Sequence, residues 1–404
     1  GATRLIISSA IRADNPEVLA AQTADIPVFK RADILGELMT AKTGIAVAGT
    51  HGKTTTTALI AHILMQAGAD PTFIVGGIIS DLGSNARAGR GSHFVIEADE
   101  YDHMFLGLRY KIAVLAHLEM DHPDCFPTME HLAEAFRRFL ALAPSDGAII
   151  ACADEPQVRA LLESSPWAAR VIRYGLSAGN DWRASELAPI AQGGSEFAVW
   201  AGDKSVGQFS IPLPGEHNVK NALAALIVAE TLGVDRAATR QALATFGGVR
   251  RRFEIKGKAA GVTVIDDYAH HPTAIRATLA AARKRYPGVA IWAVFQPHTF
   301  SRTVALFQEF VGAFGDADHV LVTEIYASRE SRDASAPRAS DLVEAIMHAN
   351  GWRAGARYCA TFDEAVSELL KRAQTGDVII TLGAGDGFVI GEQVLCGLAG
   401  RQSL

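Results

Sequence analysis

The string Gly49-Thr50-His51-Gly52-Lys53-Thr54-Thr55-Thr56-Thr57 packs two glycines, a lysine and a run of hydroxyls between an apolar stretch, residues 44–48, and a segment of helical period, residues 54–65. Residue types in this order suit a phosphate chain. Backbone N–H groups of a glycine-containing loop point at phosphate oxygens, and the helix N-terminus adds a favourable dipole. Lys53 can then neutralise the terminal phosphates while the Thr54 hydroxyl ligates magnesium. The spacing, GxxGKT, is two residues shorter than the commonest phosphate loop. Acidic and imidazole groups follow two further strand-like runs. Glu97-Ala98-Asp99-Glu100-Tyr101-Asp102 follows one, and Glu119-Met120-Asp121-His122-Pro123-Asp124 the other. Ligands at the C-terminal ends of parallel strands converge on one crevice, so Glu97 and His122 are expected to meet a magnesium ion near Thr54.

Positioning such groups requires a parallel sheet. Short apolar runs alternate with helical patterns along the chain, which predicts right-handed βαβ units. Candidate strands lie at residues 5–7, 44–48, 94–96, 112–115, 148–150, 290–294, 319–322 and 378–380, each continuously apolar as buried parallel strands are. Between about 170 and 214 the segments become shorter and more polar, with turn signals at Gly175, Gly193-Gly194 and Gly202, which predicts an antiparallel insertion. Helices are expected at 218–232 and 235–246. The following Gly247-Gly248 pair with Arg250-Arg251-Arg252 reads as an interdomain joint, after which the βα pattern resumes to the C-terminus.

Composition sets the outer bounds. The 404 residues carry 38 Lys+Arg against 44 Asp+Glu, a net charge of −6, which argues against a nucleic-acid binder relying on bulk positive charge. With 49% hydrophobic residues the chain can bury large cores, and its length predicts two or three domains. No run reaches the roughly 18 apolar residues of a membrane span. Nor does a charged and apolar leader precede Leu5. The cysteines Cys125, Cys152, Cys359 and Cys396 lack CxxC spacing, which suits a reducing cytoplasm and no structural zinc.

Taken together, several strings resemble the Mur ligases, ATP-dependent amide-forming enzymes of peptidoglycan synthesis. These are Ser8-Ser9-Ala10-Ile11 with Asn15-Pro16-Glu17, the phosphate loop, the Glu97 string, Asp121-His122 and His217-Asn218-Val219-Lys220-Asn221-Ala222. Further along come Arg251-Arg252-Phe253, Asp266-Asp267-Tyr268-Ala269-His270-His271-Pro272, Phe295-Gln296-Pro297-His298 with Ser301-Arg302, and Leu382-Gly383-Ala384-Gly385-Asp386. They lie in the family's order from end to end.

The resemblance implies an α/β fold with three domains. These are a UDP-sugar-binding N-terminal domain represented by residues 1–40, a central P-loop ATPase domain with a parallel sheet at 41–247, and a Rossmann-like amino-acid-binding domain at 248–404. The family's Gly-rich diphosphate loop has no counterpart in the chain, so the first domain is expected to be represented by its later part alone. The resemblance further implies that Asn218 and Asn221 approach the adenine, Asp267 the ribose and Arg252 the γ-phosphate. The loop residues Gly49, Thr50, His51, Gly52, Lys53, Thr54 and Thr55 would hold the phosphates. His298, Arg302 and Tyr326 would bind the amino acid, with His271 near its amine as the candidate base. Substrates would be ATP with Mg2+, UDP-N-acetylmuramate and L-alanine, handled by a monomer or homodimer in the cytoplasm.

Some positions depart from the family pattern. Thr299 stands where many relatives have arginine, Ala274 where a glutamate often follows Pro-Thr, and residues 115–119 lack the usual Thr-Asn pair. The stretch 131–142 contains Arg137 and Arg138 but no lysine, as in the L-alanine-adding branch. Alternative readings are the branch that attaches a whole tripeptide in recycling, and a noncatalytic ATP-dependent switch.

Overall fold

The computed structural model describes residues 1–9, 11–191, 193–331, 336–349 and 355–401; Ala10 of the Ser8 string lies outside the described residues. The chain forms two compact units, one of Gly1–Leu187, Glu196–Ile211 and Asn218–Phe246, the other of Ala188–Ser195, Pro212–His217 and Gly247–Leu404. The first begins with β1 (Leu5–Ile7), α1 (Pro16–Thr23), β2 (Val28–Lys30) and α2 (Arg31–Met39), with β1 and β2 paired in parallel. Next come β3 (Thr43–Ala48), α3 (Lys53–Gln66), β4 (Thr72–Ile79), β5 (Ser84–Arg87), β6 (His93–Glu97) and β7 (Ile112–Leu115). They are followed by α4 (Met129–Leu140), β8 (Ala148–Cys152), α5 (Pro156–Glu163), β9 (Arg170–Gly175), β10 (Trp182–Pro189), β11 (Ser195–Ala201) and β12 (Lys204–Ile211). The helices α6 (Glu216–Thr231) and α7 (Arg236–Ala244) come last.

Strands β3 to β12 form one ten-stranded sheet in the order β12-β11-β10-β9-β8-β7-β3-β6-β4-β5. Strands β3, β6, β7 and β8 are parallel and apolar throughout their centres because helices cover them. One face carries Ala46, Phe94, Ala113 and Ile149, which pack with Phe136 and Phe139 of α4. Helix α3 is buried along its length from Thr54 to Leu64. Its interior threonines are tolerated because their hydroxyls are bonded: Thr57 donates to the Lys53 carbonyl and Thr56 to Asn221 Oδ1.

The stretch after β8 differs from the expected antiparallel insertion. β9 runs parallel to β8 over five residue pairs, and β10 starts parallel to β9 at Trp182 and Arg183. All four strands extend the main sheet. The six-residue link 176–181 reads as a hairpin turn in sequence, but Asp154 gathers it back. Its carboxylate accepts from the Leu176 and Ser177 amides and from Asn180 Nδ2.

The second unit contains β13 (Glu254–Ala259), β14 (Val262–Asp267), α8 (Pro272–Arg285), β15 (Ile291–Phe295), α9 (Phe300–Ala305), α10 (Phe307–Val311) and β16 (His319–Val322). It continues with α11 (Ala339–Ala349), β17 (Ala356–Tyr358), α12 (Phe362–Arg372), β18 (Val378–Leu382) and α13 (Phe388–Arg401). Its six-stranded sheet runs β13-β14-β18-β15-β16-β17, parallel except for β13. Alternate residues serve opposite faces, as a two-sided strand requires. Ala293, Phe295, Val320, Val322 and Ile380 face one core, and Trp292, Val294, Leu321 and Ile379 the other.

Candidate active site

In the first unit the phosphate loop leaves the C-terminal end of β3 and enters α3. Gly49 has φ of 134° and Gly52 of 81°, conformations that strain any side-chain-bearing residue. A Cβ at Gly52 would also meet Asn221 Oδ1 at 2.7 Å. Helix α3 starts at Lys53, and a helix N-terminus directs its first amides, which lack acceptors within the helix, towards an anion. Thr50 is different. Its amide donates to the His117 carbonyl at 3.0 Å, so it anchors the loop rather than offering an N–H to a ligand.

Lys53 Nζ donates to the Gly49 carbonyl at 2.6 Å and to both oxygens of Glu100 at 2.8 and 2.9 Å. Burial works against its charge, but Glu100, Asp99 and Glu97 outweigh burial and raise its pKa above the ordinary lysine value. Sequence reasoning passed over Glu100 as the lysine's partner. Glu97, Asp99 and Glu100 share one string, so residue type alone does not say which carboxylate meets the lysine. Thr54 and Glu97 do meet, the hydroxyl donating to Oε1 at 3.0 Å. The Gly76 amide fixes the other oxygen at 2.6 Å. Hydroxyl and carboxylate oxygens are the hard donors magnesium requires, and this pair fits it. His122 sits elsewhere in the cluster, with Nε2 4.0 Å from Glu100 and 3.8 Å from Asp121; no ion pair joins it to Glu97 among the described residues.

Asn218 and Asn221 are both buried on α6. Asn221 Nδ2 donates to Asn218 Oδ1 at 3.3 Å, while its Oδ1 accepts from Thr56 at 3.2 Å. The pair therefore fastens α6 to the phosphate helix. A polar cluster that the sequence did not single out lies behind the loop. His51 bonds Glu119, and His117 bonds Thr50 and Glu155. The available signal was two polar residues, His117 and Glu119, just beyond a continuously apolar strand.

In the second unit Asp267 ends β14 and is buried. Its carboxylate accepts from the Phe253 and Ala269 amides, both at 2.9 Å, and from the Thr278 hydroxyl at 3.2 Å. Burial pushes its pKa up to about 6 despite Arg252 and those amides. The Arg252 guanidinium lies over the Tyr268 ring at 5.0 Å. Arg251 is held between Tyr268 and Phe388 and bonds Asp266 at 3.1 Å. His271 caps α8, with Nδ1 accepting from the Thr273 amide at 3.4 Å.

Rings dominate the cluster around His298. His298 stacks on Tyr326 at 5.6 Å and meets His270 edge-on at 5.9 Å. Arg302, buried one turn along, donates to the His298 carbonyl at 2.8 Å and lies 3.2 Å from its Nδ1. His298, Arg302 and Tyr326 are thus brought together. Gln296 closes the floor: its amide nitrogen donates to Asp386 and its oxygen accepts from the Gly387 amide, both at 2.9 Å.

These features coincide with known families. The Mur ligase middle domain matches residues 47–229, the Mur ligase glutamate ligase domain residues 251–385, and the Mur ligase family catalytic domain residues 1–43. The UDP-N-acetylmuramate–L-alanine ligase of Caldanaerobacter subterraneus is 42% identical over 396 residues, 98% of this chain and 85% of that protein. The solved UDP-N-acetylmuramate–alanine ligase of Thermotoga maritima superposes with a TM-score of 0.81 at 26% identity, over 98% of this chain and 85% of that one. A murein peptide ligase from Psychrobacter arcticus superposes with a TM-score of 0.68 at 27% identity, over 96% and 84%. This chain belongs to the Mur ligase family.

Proposed function

We propose that this chain joins L-alanine to the lactyl carboxylate of UDP-N-acetylmuramate at the expense of ATP, in peptidoglycan synthesis. The observation that carries this reading is near-full-length identity with ligases of that name, together with a phosphate loop whose lysine, threonine and carboxylate are already assembled. A carboxylate is a poor acyl donor. In the first step a lactyl oxygen bonds the γ-phosphorus and ADP leaves; in the second the amine attacks the acyl carbon and phosphate leaves. Lys53 and Arg252 offset the repulsion between carboxylate and triphosphate. Magnesium, held by Thr54 and Glu97 with His122 beside Glu100 in the same cluster, would add its charge to that task.

Asn218 and Asn221 face the adenine and Asp267 the ribose on this reading, and Gly49 to Thr55 cradle the phosphates. Arg302, His298 and Tyr326 receive the amino acid, its carboxylate paired with the guanidinium. His271 is the candidate base for the amine. Residues 1–40 belong to the UDP-sugar-binding domain, 41–247 to the ATP-binding domain and 248–404 to the amino-acid-binding domain. The four cysteines are free thiols, which suits the cytoplasm, where the chain works as a monomer or homodimer. No helix among the described residues is long and apolar enough to cross a membrane.

The test is phosphate release from MgATP with UDP-N-acetylmuramate and, in turn, L-alanine, glycine, L-serine or the recycling tripeptide. Release that needs both the sugar and L-alanine supports the assignment. Dependence on the tripeptide moves it to the recycling branch, and slow hydrolysis that ignores every acceptor makes the chain a nucleotide switch.

A further inference from the structure

We propose that His117, with Glu155 behind it, is a positioning residue for ATP: it locks the phosphate loop to the helix on the adenine side. The proposal rests on reading residues 49–55 as the ATP phosphate site.

A continuous chain of contacts carries it. Thr50 Oγ1 lies 3.0 Å from His117 Nδ1, and His117 Nε2 lies 3.1 Å from Glu155 Oε2. The other Glu155 oxygen accepts from Lys220 Nζ at 2.5 Å. Lys220 belongs to α6, between Asn218 and Asn221. One line of polar contacts therefore runs from the phosphate loop to the helix that carries the asparagine pair.

The Thr50 hydroxyl shows why the histidine sets the loop. A hydroxyl has one proton and two lone pairs. Thr50 Oγ1 accepts from the Glu119 amide at 3.2 Å, and its remaining capacity faces His117. Its own amide is committed to the His117 carbonyl. Thr50 is thus held at three points by residues 117–119. Gly49 lies against the same backbone, where a Cβ would come within 2.8 Å of the His117 nitrogen and oxygen.

Glu155 is placed for a non-local task. It occupies the N-cap of α5, where acidic side chains ordinarily accept from the helix's first amides, yet its carboxylate makes no cap bond. It turns to His117 and Lys220 instead. Burial opposes its ionisation, but those two partners outweigh burial and hold its pKa down at about 2, so it accepts from both. In the tautomer that donates Nε2–H to Glu155, Nδ1 is an acceptor and the Thr50 hydroxyl donates to it. Loss of this contact leaves the loop's backbone bonds intact but frees its orientation. The expected signature is weaker ATP binding with little change in the chemical step.

The experiment measures KM and kcat for ATP at saturating sugar and L-alanine, KM for L-alanine, and equilibrium MgATP binding. The proteins are wild type, His117→Ala, His117→Gln, Glu155→Gln and the double variant His117→Ala/Glu155→Gln, with thermal melts to establish folding. His117→Ala should raise KM and Kd for ATP about 10-fold, with kcat at saturating ATP within about 3-fold and KM for L-alanine unchanged. Glu155→Gln should raise the ATP constants by about 5-fold, and the double variant by about 10-fold rather than the product, because both act through one contact chain. His117→Gln, which keeps one donor and one acceptor, should recover part of the loss. Folded variants with wild-type ATP constants, effects that multiply, or an equal loss for ATP and L-alanine would overturn the proposal. A wild-type protein that binds no MgATP would remove the ATP reading itself, and the proposal with it. Retained ATP binding without the His117 effect defeats the proposal alone.

Discussion

The two ends of the proposed chemistry are built in opposite ways. In the first unit the cation is the centre of a charged cluster: Lys53 is buried against Glu100, with Asp99 and Glu97 near it, on a loop set by two glycines at positive φ. In the second unit the cation lies among rings. Arg302 backs His298, which stacks between Tyr326 and the edge of His270. A triphosphate brings several charges at once, so its site needs charge already held in place and amides that do not reorganise. A zwitterionic amino acid brings one carboxylate and one amine, so a planar fork on a rigid support suffices. The difference predicts that loss of the phosphate-end cation strikes the rate of chemistry, whereas loss of the amino-acid-end cation strikes one KM.

Lys53→Ala should give the largest effect, a fall in kcat of about 10³-fold or more, because it removes the donor that meets charge developing on the transferred phosphoryl group. Phosphate release with both acceptor substrates present measures it. Retention of more than a tenth of the wild-type rate would place the phosphoryl chemistry elsewhere. Arg302→Ala comes next. Losing a charge-assisted contact should raise KM for L-alanine on the order of 10²-fold while KM for ATP stays within about 2-fold. Equal rises in both constants would mean that the two ends are not separable in function.

The same contrast explains what could be read from the sequence. A phosphate loop is one local turn, so Gly49 to Thr57 reveals it without knowledge of the fold, and the apolar strands β3, β6, β7 and β8 follow from their continuous runs. The pairing of Thr54 with Glu97 was legible because ligands at parallel strand ends share a crevice. Glu100 was not, since other carboxylates share its string and residue type does not single out the one that meets Lys53. The step from β9 to β10 was misjudged because a six-residue link resembles a hairpin, whereas Asp154 folds it back so that β10 starts parallel beside β9. At the amino-acid end, Tyr326 and Gly385 lie 59 residues apart, yet a Cβ on Gly385 would come within 2.9 Å of the Tyr326 ring. Such neighbours are visible only once the sheet order is known.

A smaller effect concerns pH and sharpens the charged side of the contrast. Glu155 has a folded pKa of about 2, below its ordinary value of 4.5. A carboxyl depressed in this way contributes stability that is complete above the unfolded pKa and is lost as pH falls from about 4.5 towards 2. Glu155→Gln removes that contribution. The stability gap between wild type and variant, measured by urea unfolding, should therefore be widest at pH 7 and narrower at pH 3.5. A gap independent of pH would mean that Glu155 acts through shape rather than charge.

Thr299 gives the smallest expected effect and tests how far the amino-acid end depends on rings alone. Its hydroxyl donates to Glu330 Oε1 at 2.5 Å, and Glu330 also accepts from the Ser301 amide at 2.8 Å and the Ser301 hydroxyl at 2.5 Å. Burial works against ionisation of Glu330, but hydrogen bonds from Ser301 and Thr299 outweigh it and hold its pKa below the ordinary range. Thr299→Val keeps the shape and removes one of several donors to Glu330. The loss should be about 1 kcal/mol of stability. With the Ser301 donors still fixing Glu330 and the start of α9, Arg302 stays in place and KM for L-alanine should change by no more than about 3-fold. A much larger rise in that KM, with the melting temperature unchanged, would mean that the Thr299 hydroxyl touches the amino acid itself. Recognition would then depend on a neutral donor at the position where many relatives carry arginine, and glycine and L-serine should lose or gain affinity along with L-alanine in the same variant.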